Sequence, residues 1–395
     1  MDQREEKGED IKRKRGKSSS SWSKSASSSL PVDLISEIFL KLPAKSILRF
    51  RSVSKLWSSI TTNPYFTNSF ESRPNLLFFF KKDDKFFAFK ISQDNRNPSY
   101  ELNSYSYSQP IDSYSITFPK GCTFTINTES VHGLICFQKS GSSVLVWNPS
   151  MRKLPLSLRK PDKTWKRITF FLGYDPAEGK HKVVCMPNDR ASESDECRIL
   201  TLGSDQESWR MVKTNHKHLS FPYPNGQCIN GVLYYRGSIG SDHVIMSFDV
   251  RSEEFNVIKL PWKGYWNAMM MISYQGRLAC IGSIDENSLL MWVLEDAEKH
   301  EWSRRNFLPL SHYDRHADKF FKLIGITNDG ELIYVPKSVH EPFHVIYIDP
   351  IRQRFRKVHY RGILDADFRL RNGLGDKPVT GFQFFPNHIE TLMPL

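Results

Sequence analysis

The 395-residue chain has no apolar run approaching the length of about 18 residues that a membrane-spanning helix needs. Nor does it carry a stretch of secretory-signal form, so a soluble protein of the cytosol or nucleus is expected. The cysteines, Cys122, Cys136, Cys185, Cys197, Cys228 and Cys280, stand at wide, irregular spacings with no Cys-x-x-Cys pair. They read as reduced, mostly buried strand residues of an intracellular protein. Also missing are a Gly-x-Ser-x-Gly elbow, a His-Glu-x-x-His pair, a P-loop and a Gly-x-Gly-x-x-Gly turn, an absence that fits a binding module. Past about residue 75 almost nothing has helical period.

What the chain has in excess is positive charge, with 55 Lys+Arg against 43 Asp+Glu and a net charge of +12. The basic residues are scattered rather than striped, which reads as solubility charge and makes a nucleic-acid surface the lesser expectation. Residues 1–28 mix charge with "SSSSWSKSASSS" and carry almost no large apolar side chains. Such a segment cannot offset the entropy of ordering itself and is expected to be a disordered tail. Within it "KRKRGK", Lys12 to Lys17, has the form of a nuclear import signal, and equally of a solvated basic tail.

From about residue 75 onward come short runs such as "LLFFF", "KFFAFKI", "VLVWN", "KVVCM", "VIMSFDV" and "VIYIDP", separated by Gly, Pro, Asn and Asp. Runs of β-branched and aromatic residues bounded by turn formers are strands. They recur: a glycine near the start of a strand pair stands at Gly133, Gly179, Gly231, Gly276 and Gly330, at spacings suited to four-stranded propeller blades. Counting an irregular first unit from about Leu76, six periods fill the region. The final "GFQFFPNHIETL" offers a strand to close the ring against the first blade. A twisted β-sandwich is the competing all-β reading, but it would show no such period.

Residues 30–60 differ from both neighbours. Pro31 and Asp33 suit a helix start, and Leu34, Ile35, Ile38, Phe39 and Leu42 follow on one side before Pro43 ends the helix. A second helix, "KSILRF", turns Ile47, Leu48 and Phe50 inward. A third, "VSKLWSSI", turns Leu56, Trp57 and Ile60 inward and is stopped by Pro64. So small a unit needs one apolar face for its own core, and Leu40 adds a further apolar residue on the side of Glu37 and Lys41. An apolar surplus on a small helical unit marks a docking surface. Leu34, Ile38, Val53 and Ile60 also suit internal core, whereas Leu30 and Pro31, at the start of the unit, suit an interface.

Leu30, Pro31, Leu34, Ile38, Leu42, Pro43, Leu48, Arg51, Val53, Lys55, Trp57 and Ile60 follow in order and spacing the pattern of the F-box, which this stretch resembles. The family's usual cysteine before the lysine is Ser54 here. From about Gly133 to Gly362, "GLICF…VLVWNPSMRKLPLSL…FLGYDPAEGKHKVVCM" and its continuation resemble the F-box associated domain, type 3, of plant F-box proteins. The resemblance implies an α+β multidomain chain: residues 29–71 a trihelical F-box, residues 72–395 an all-β, six-bladed, kelch-like propeller. It implies the substrate-recognition subunit of an SCF-type ubiquitin ligase, with no catalysis and no cofactor of its own. Leu30, Pro31, Leu34, Ile38, Leu42, Pro43, Leu48 and Trp57 would make or support contact with a Skp-family adaptor, and through it a cullin. The β domain would hold an unknown protein target.

Within the β domain the residue types that dominate binding hot spots gather in three segments: "KPDKTWKRITF" with Trp165 and Arg167, "PYPNG" with Tyr223, and "PWKGYWN" with Trp262, Tyr265 and Trp266. Core packing or strand capping explains each of them as well. His312, Asp314 and His316 in "SHYDRHADK", and His216 and His218 in "NHKH", read as solvated loop rather than metal ligands. The rival functional classes are a sugar- or ligand-binding propeller and a nuclear nucleic-acid binder. Neither explains the apolar surplus of residues 30–60.

Overall fold

The computed structural model describes residues 30–93, 104–118, 129–139, 143–188, 192–204, 208–221, 226–262, 269–285, 288–315, 317–340, 342–393 and 395. The basic tail with Lys12–Lys17, Cys122, Tyr223, Tyr265, Trp266 and His316 lie outside the described residues.

The described residues begin with four helices rather than three: α1 (Val32–Leu40), α2 (Ala44–Phe50), α3 (Lys55–Thr62) and α4 (Pro64–Phe70). Pro31 caps α1 and Asp33 lies in its first turn. Ser54 caps α3, its hydroxyl accepting the Trp57 amide at 3.1 Å. Pro64 was expected to stop the third helix, yet it also starts the fourth. Asn63 accepts the Tyr65 amide at 2.8 Å, and a proline at the first helical position sacrifices no hydrogen bond. The core of this unit is Ile35, Phe39, Ala44, Ile47, Ile60, Phe66 and Phe70. The Trp57 ring meets Phe39 and Phe50 edge-on, 5.1 and 5.0 Å between centroids, an arrangement favourable for aromatic quadrupoles.

The rest is almost entirely β. One four-stranded sheet joins Gln383–His388, Asn75–Lys82, Lys85–Ser92 and Asp112–Thr117, and a second joins Ser130–Val131, Leu134–Lys139, Ser143–Trp147 and Leu156–Ser157. A third joins Met270–Tyr274, Arg277–Asp285, Ser288–Asp296 and Glu301–Phe307. A fourth joins Phe321–Ile326, Leu332–Pro336, His344–Asp349 and Arg354–Tyr360, with Ser104–Ser108 added in parallel along the last strand. These four have the form of propeller blades.

Six separate blades were expected, and the strand pairing does not give them. The strands from Ile168 to Lys259 form one continuous eight-stranded sheet. The cause is the 11-residue strand Arg210–Ser220. Its first part pairs with Ser194–Thr201, and its last two residues, Leu219 and Ser220, run on to pair with Ser238 and Gly237. Nothing in the strand order singles out a kelch-like arrangement. The expected closing strand is present: Gln383–His388 pairs with the first β-strand, Phe384 opposite Phe78 and Phe385 opposite Leu77.

The cores lie between neighbouring sheets, which explains the uninterrupted apolar runs. In the first strand Leu76, Phe78 and Phe80 enter one core with Val345 and Tyr347, while Leu77 and Phe79 enter another with Phe137 and Trp147. A strand buried on both faces need not alternate. The repeating glycines sit in the turns between the first and second strands of successive units. Gly133, Gly231 and Gly276 follow His132, Asn230 and Gln275, with both residues of each pair at positive φ, the conformation of a tight two-residue hairpin turn.

Helices past residue 75 were not expected, and three α-helices are present among the described residues: α5 (Leu310–Tyr313), α6 (Ala317–Phe320) and α7 (Ala366–Asn372). The first two fall in "SHYDRHADK", expected to be loop. The third is capped by Asp365, which accepts the Phe368 amide at 2.9 Å, and ends at Gly373 with φ 64°.

Candidate functional site

Leu30, Leu34 and Ile38 are 56%, 51% and 48% exposed. Leu34 and Ile38, four residues apart, form one line along the outside of α1, about 100° round the helix from the buried pair Ile35 and Phe39, and Leu30 lies exposed just before the helix. Pro31 is exposed at the head of the helix, Val32 is exposed on its far side from Leu34, and Val53 and Leu56 are exposed before and within α3. Leu34, Ile38 and Val53 are thus not internal core, whereas Ile60 is. Leu56, expected to point inward, points out. Leu42, Leu48 and Trp57 pack half-buried against the internal core, and Pro43, also half-buried, caps α2. The eight sequence-selected residues therefore divide into an outward set, Leu30, Pro31, Leu34 and Ile38, and a supporting set. Val32, Val53 and Leu56 were missed as surface residues. The usable signal was that Trp57, adjacent to Leu56, already fills the inward direction of α3.

The helical unit is fastened to the β domain by the end of the chain. Leu392 is buried in the helical core beside Phe39 and Ile47. Thr391 donates to Glu71 Oε1 at 2.8 Å, and burial pushes the Glu71 carboxyl above its usual range. Asn148, buried at the end of strand Ser143–Trp147, donates to the carbonyls of Thr391 and Met393 at 3.3 and 2.8 Å. Glu390 pairs with Lys90 at 2.8 Å, both largely buried, and Arg73 donates to the Leu40 carbonyl at 2.7 Å.

In the β domain Trp165 is buried among Cys136, Phe170 and Leu200, with the Arg198 guanidinium 6.0 Å from its ring. Arg167 is exposed. Trp262 is half-buried in a trio with Trp292 and Trp302, 5.8 and 5.6 Å away. The Gly133 turn and Asn148 both adjoin the fastening segment. In an antiparallel four-stranded unit, the link from the last strand to the next first strand leaves at the opposite end from such turns. Trp165, Arg167 and Trp262 are carried by links of this kind, so they lie at the end facing away from the helical unit. Among the described residues no group of His, Cys, Asp and Glu is placed to hold a metal ion. No disulfide joins the described cysteines, which are all buried except the half-buried Cys228.

Comparison with known proteins gives two family matches, the F-box domain over residues 27–69 and the F-box associated beta propeller domain over residues 75–389. The Arabidopsis thaliana protein At1g47730 is 60% identical over the whole of both chains. The F-box protein At1g48060 of the same plant is 55% identical over 93% of each chain. Another Arabidopsis thaliana F-box protein, At5g18160, is 38% identical over 93% of this chain and 92% of its own. A helical unit joined to stacked β-sheets thus matches both family models in order along the sequence: the chain belongs to the plant F-box proteins that carry an F-box associated β-propeller domain of type 3.

Proposed function

We propose that the protein is a substrate-recognition subunit of an SCF-type ubiquitin ligase. The helical unit docks on a Skp-family adaptor, the adaptor joins it to a cullin, and the β domain holds the protein to be ubiquitylated. The observation that carries this reading is the exposed apolar set Leu30, Leu34 and Ile38 on a helical unit whose own core is filled by other residues. The links bearing Trp165, Arg167 and Trp262 face away from that unit, which suits a target held on the far side from the adaptor. The protein contributes no bond-making chemistry; that resides in its partners. We place its action in the nucleus, the cytoplasm or both. Co-expression of the full chain with a Skp-family adaptor, followed by pull-down, tests the reading. Stable one-to-one recovery that is lost in Leu34→Ala, Ile38→Ala supports it. No recovery from a folded chain refutes it.

A further inference from the structure

The innermost strands of the sheets surround a cavity of about 320 Å³, within the size range of small-ligand sites. Its wall includes Glu129, His132, Gln227, Met270, Asn328 and Phe384. Although the chain has a net charge of +12, no lysine or arginine stands among the described residues of this wall.

Glu129 directly precedes strand Ser130–Val131, at the end of the cavity facing away from the helical unit. One carboxylate oxygen accepts the backbone N–H of Cys228, across the ring of strands. The other has no hydrogen-bond partner among the described residues. Glu129 is half-buried, and no ion pair to it stands among the described residues, so its second oxygen is open to an occupant of the cavity.

We propose that this cavity is a binding site for an ammonium or guanidinium group, with Glu129 as its counter-ion and the amide of Gln227, at the same end of the cavity, as a further acceptor. The group belongs either to a lysine or arginine side chain of a bound protein or to a small free amine. The site deepens the target-binding reading but does not depend on the adaptor, because it can be measured on the full chain alone.

The surroundings support the assignment. Burial pushes the Glu129 carboxyl up to about 8, so that without a cation the acid is largely protonated at neutral pH. Its titratable neighbours hold their charge state across this range: burial lowers His132 to about 4, His181 to about 4 and His388 to about 3, and raises the Cys228 thiol to about 12. Cation binding must therefore release a proton from Glu129 below about pH 8, and affinity should weaken by up to about tenfold for each unit of pH below that point.

Calorimetric titration of the full chain with agmatine, butylamine and an acetylated arginine-containing peptide, at a pH above and a pH below this value, tests the proposal. The expected result is saturable binding that weakens at the lower pH and disappears in Glu129→Gln. Preference for the peptide over agmatine identifies a protein side chain as the natural occupant, and the reverse identifies a free amine. Should Glu129→Gln fail to fold, Gln227→Lys, which places an ammonium inside the cavity, is expected to abolish binding in its place. Absence of cation binding by the wild-type chain at the higher pH overturns the proposal and leaves Glu129 a neutral acid that serves the Cys228 N–H. Binding unchanged in a folded Glu129→Gln, or in a folded Gln227→Lys, overturns it as well.

Discussion

Thr391 donates its hydroxyl to the Glu71 carboxylate at 2.8 Å, so the fourth residue from the last residue in the chain is tied to the end of the helical unit. Beside it, Leu392 is 4% exposed in the helical core. The helical unit is therefore completed by a residue over 300 positions away, and its orientation on the β domain is fixed by the same segment. Leu392→Ala is expected to destabilise the helical unit by about 2–4 kcal/mol through the cavity it leaves. Hydrogen exchange resolved by segment provides the check: protection should fall across residues 30–72 and persist in the sheets. Uniform loss across both regions would show that the contact holds the entire chain rather than the joint.

The two faces of α1 make opposite predictions. Ile35 is 9% exposed and Leu34 is 51% exposed, although they are adjacent. Truncating Ile35 to alanine should cost about 2–4 kcal/mol of stability. Truncating Leu34 should change stability by less than about 0.5 kcal/mol while weakening adaptor binding by about 2 kcal/mol if it anchors that contact. Thermal unfolding and surface-immobilised adaptor binding, measured on both variants, separate the two roles. Equal losses of stability would remove the case for a free docking face.

The helical unit was largely readable because local signals agree there: Pro31, Asp33 and the spacing of Ile35, Phe39 and Leu42 all specify one helix. Position on that helix was less readable, since Leu34 and Ile35 are chemically alike and only tertiary packing separates them. The repeat was readable through its glycines, because a tight hairpin turn demands positive φ at a fixed place in each unit. What escaped were features created by distant partners. Leu219 and Ser220 look like the end of any strand, and nothing local shows that they continue into pairing with Gly237 and Ser238. The parallel strand Ser104–Ser108 and the insertion of Leu392 into the helical core are likewise long-range facts. Helix α7 is a different case: Asp365 and Gly373 are ordinary cap signals, obscured by the surrounding strand texture.

Acid and alkaline behaviour should have separate origins. Glu129 has a folded-state value of about 8, above its unfolded value, so the folded chain binds the extra proton and stability declines as pH rises from the unfolded value through about 8. The slope is at most about 1.4 kcal/mol per pH unit, and Glu129→Gln should flatten it. His388 behaves oppositely. Its Nδ1 lies 2.7 Å from Ser130 Oγ, and burial lowers it to about 3. The unfolded chain takes up that proton first, so stability declines as pH falls below the unfolded histidine value. Denaturant midpoints across the pH range check both signs. A Glu129→Gln profile parallel to wild type from weakly acidic to neutral pH would contradict the Glu129 assignment.

The repeating glycines should not be equivalent, although each lies at positive φ between the first and second strands of its unit. Gly133 and Gly330 both have positive φ, 81° and 92°, so alanine at either is expected to cost about 1–2 kcal/mol of backbone strain. They differ in what surrounds them. A Cβ at Gly330 meets open space, whereas one at Gly133 would fall 2.9 Å from the Ile389 carbonyl oxygen and 2.6 Å from Thr391 Cγ2. Gly133→Ala must therefore displace the segment that fastens the helical unit, and Gly330→Ala need not. The expected outcome is a larger stability loss for Gly133→Ala, accompanied by reduced protection of residues 30–72 in hydrogen exchange, against a smaller and local effect for Gly330→Ala. If the two alanine variants matched in both measurements, the contact between the Gly133 turn and the fastening segment would have no energetic weight, and the joint would rest on its other contacts, those of Leu392, Asn148, Glu71, Lys90 and Arg73.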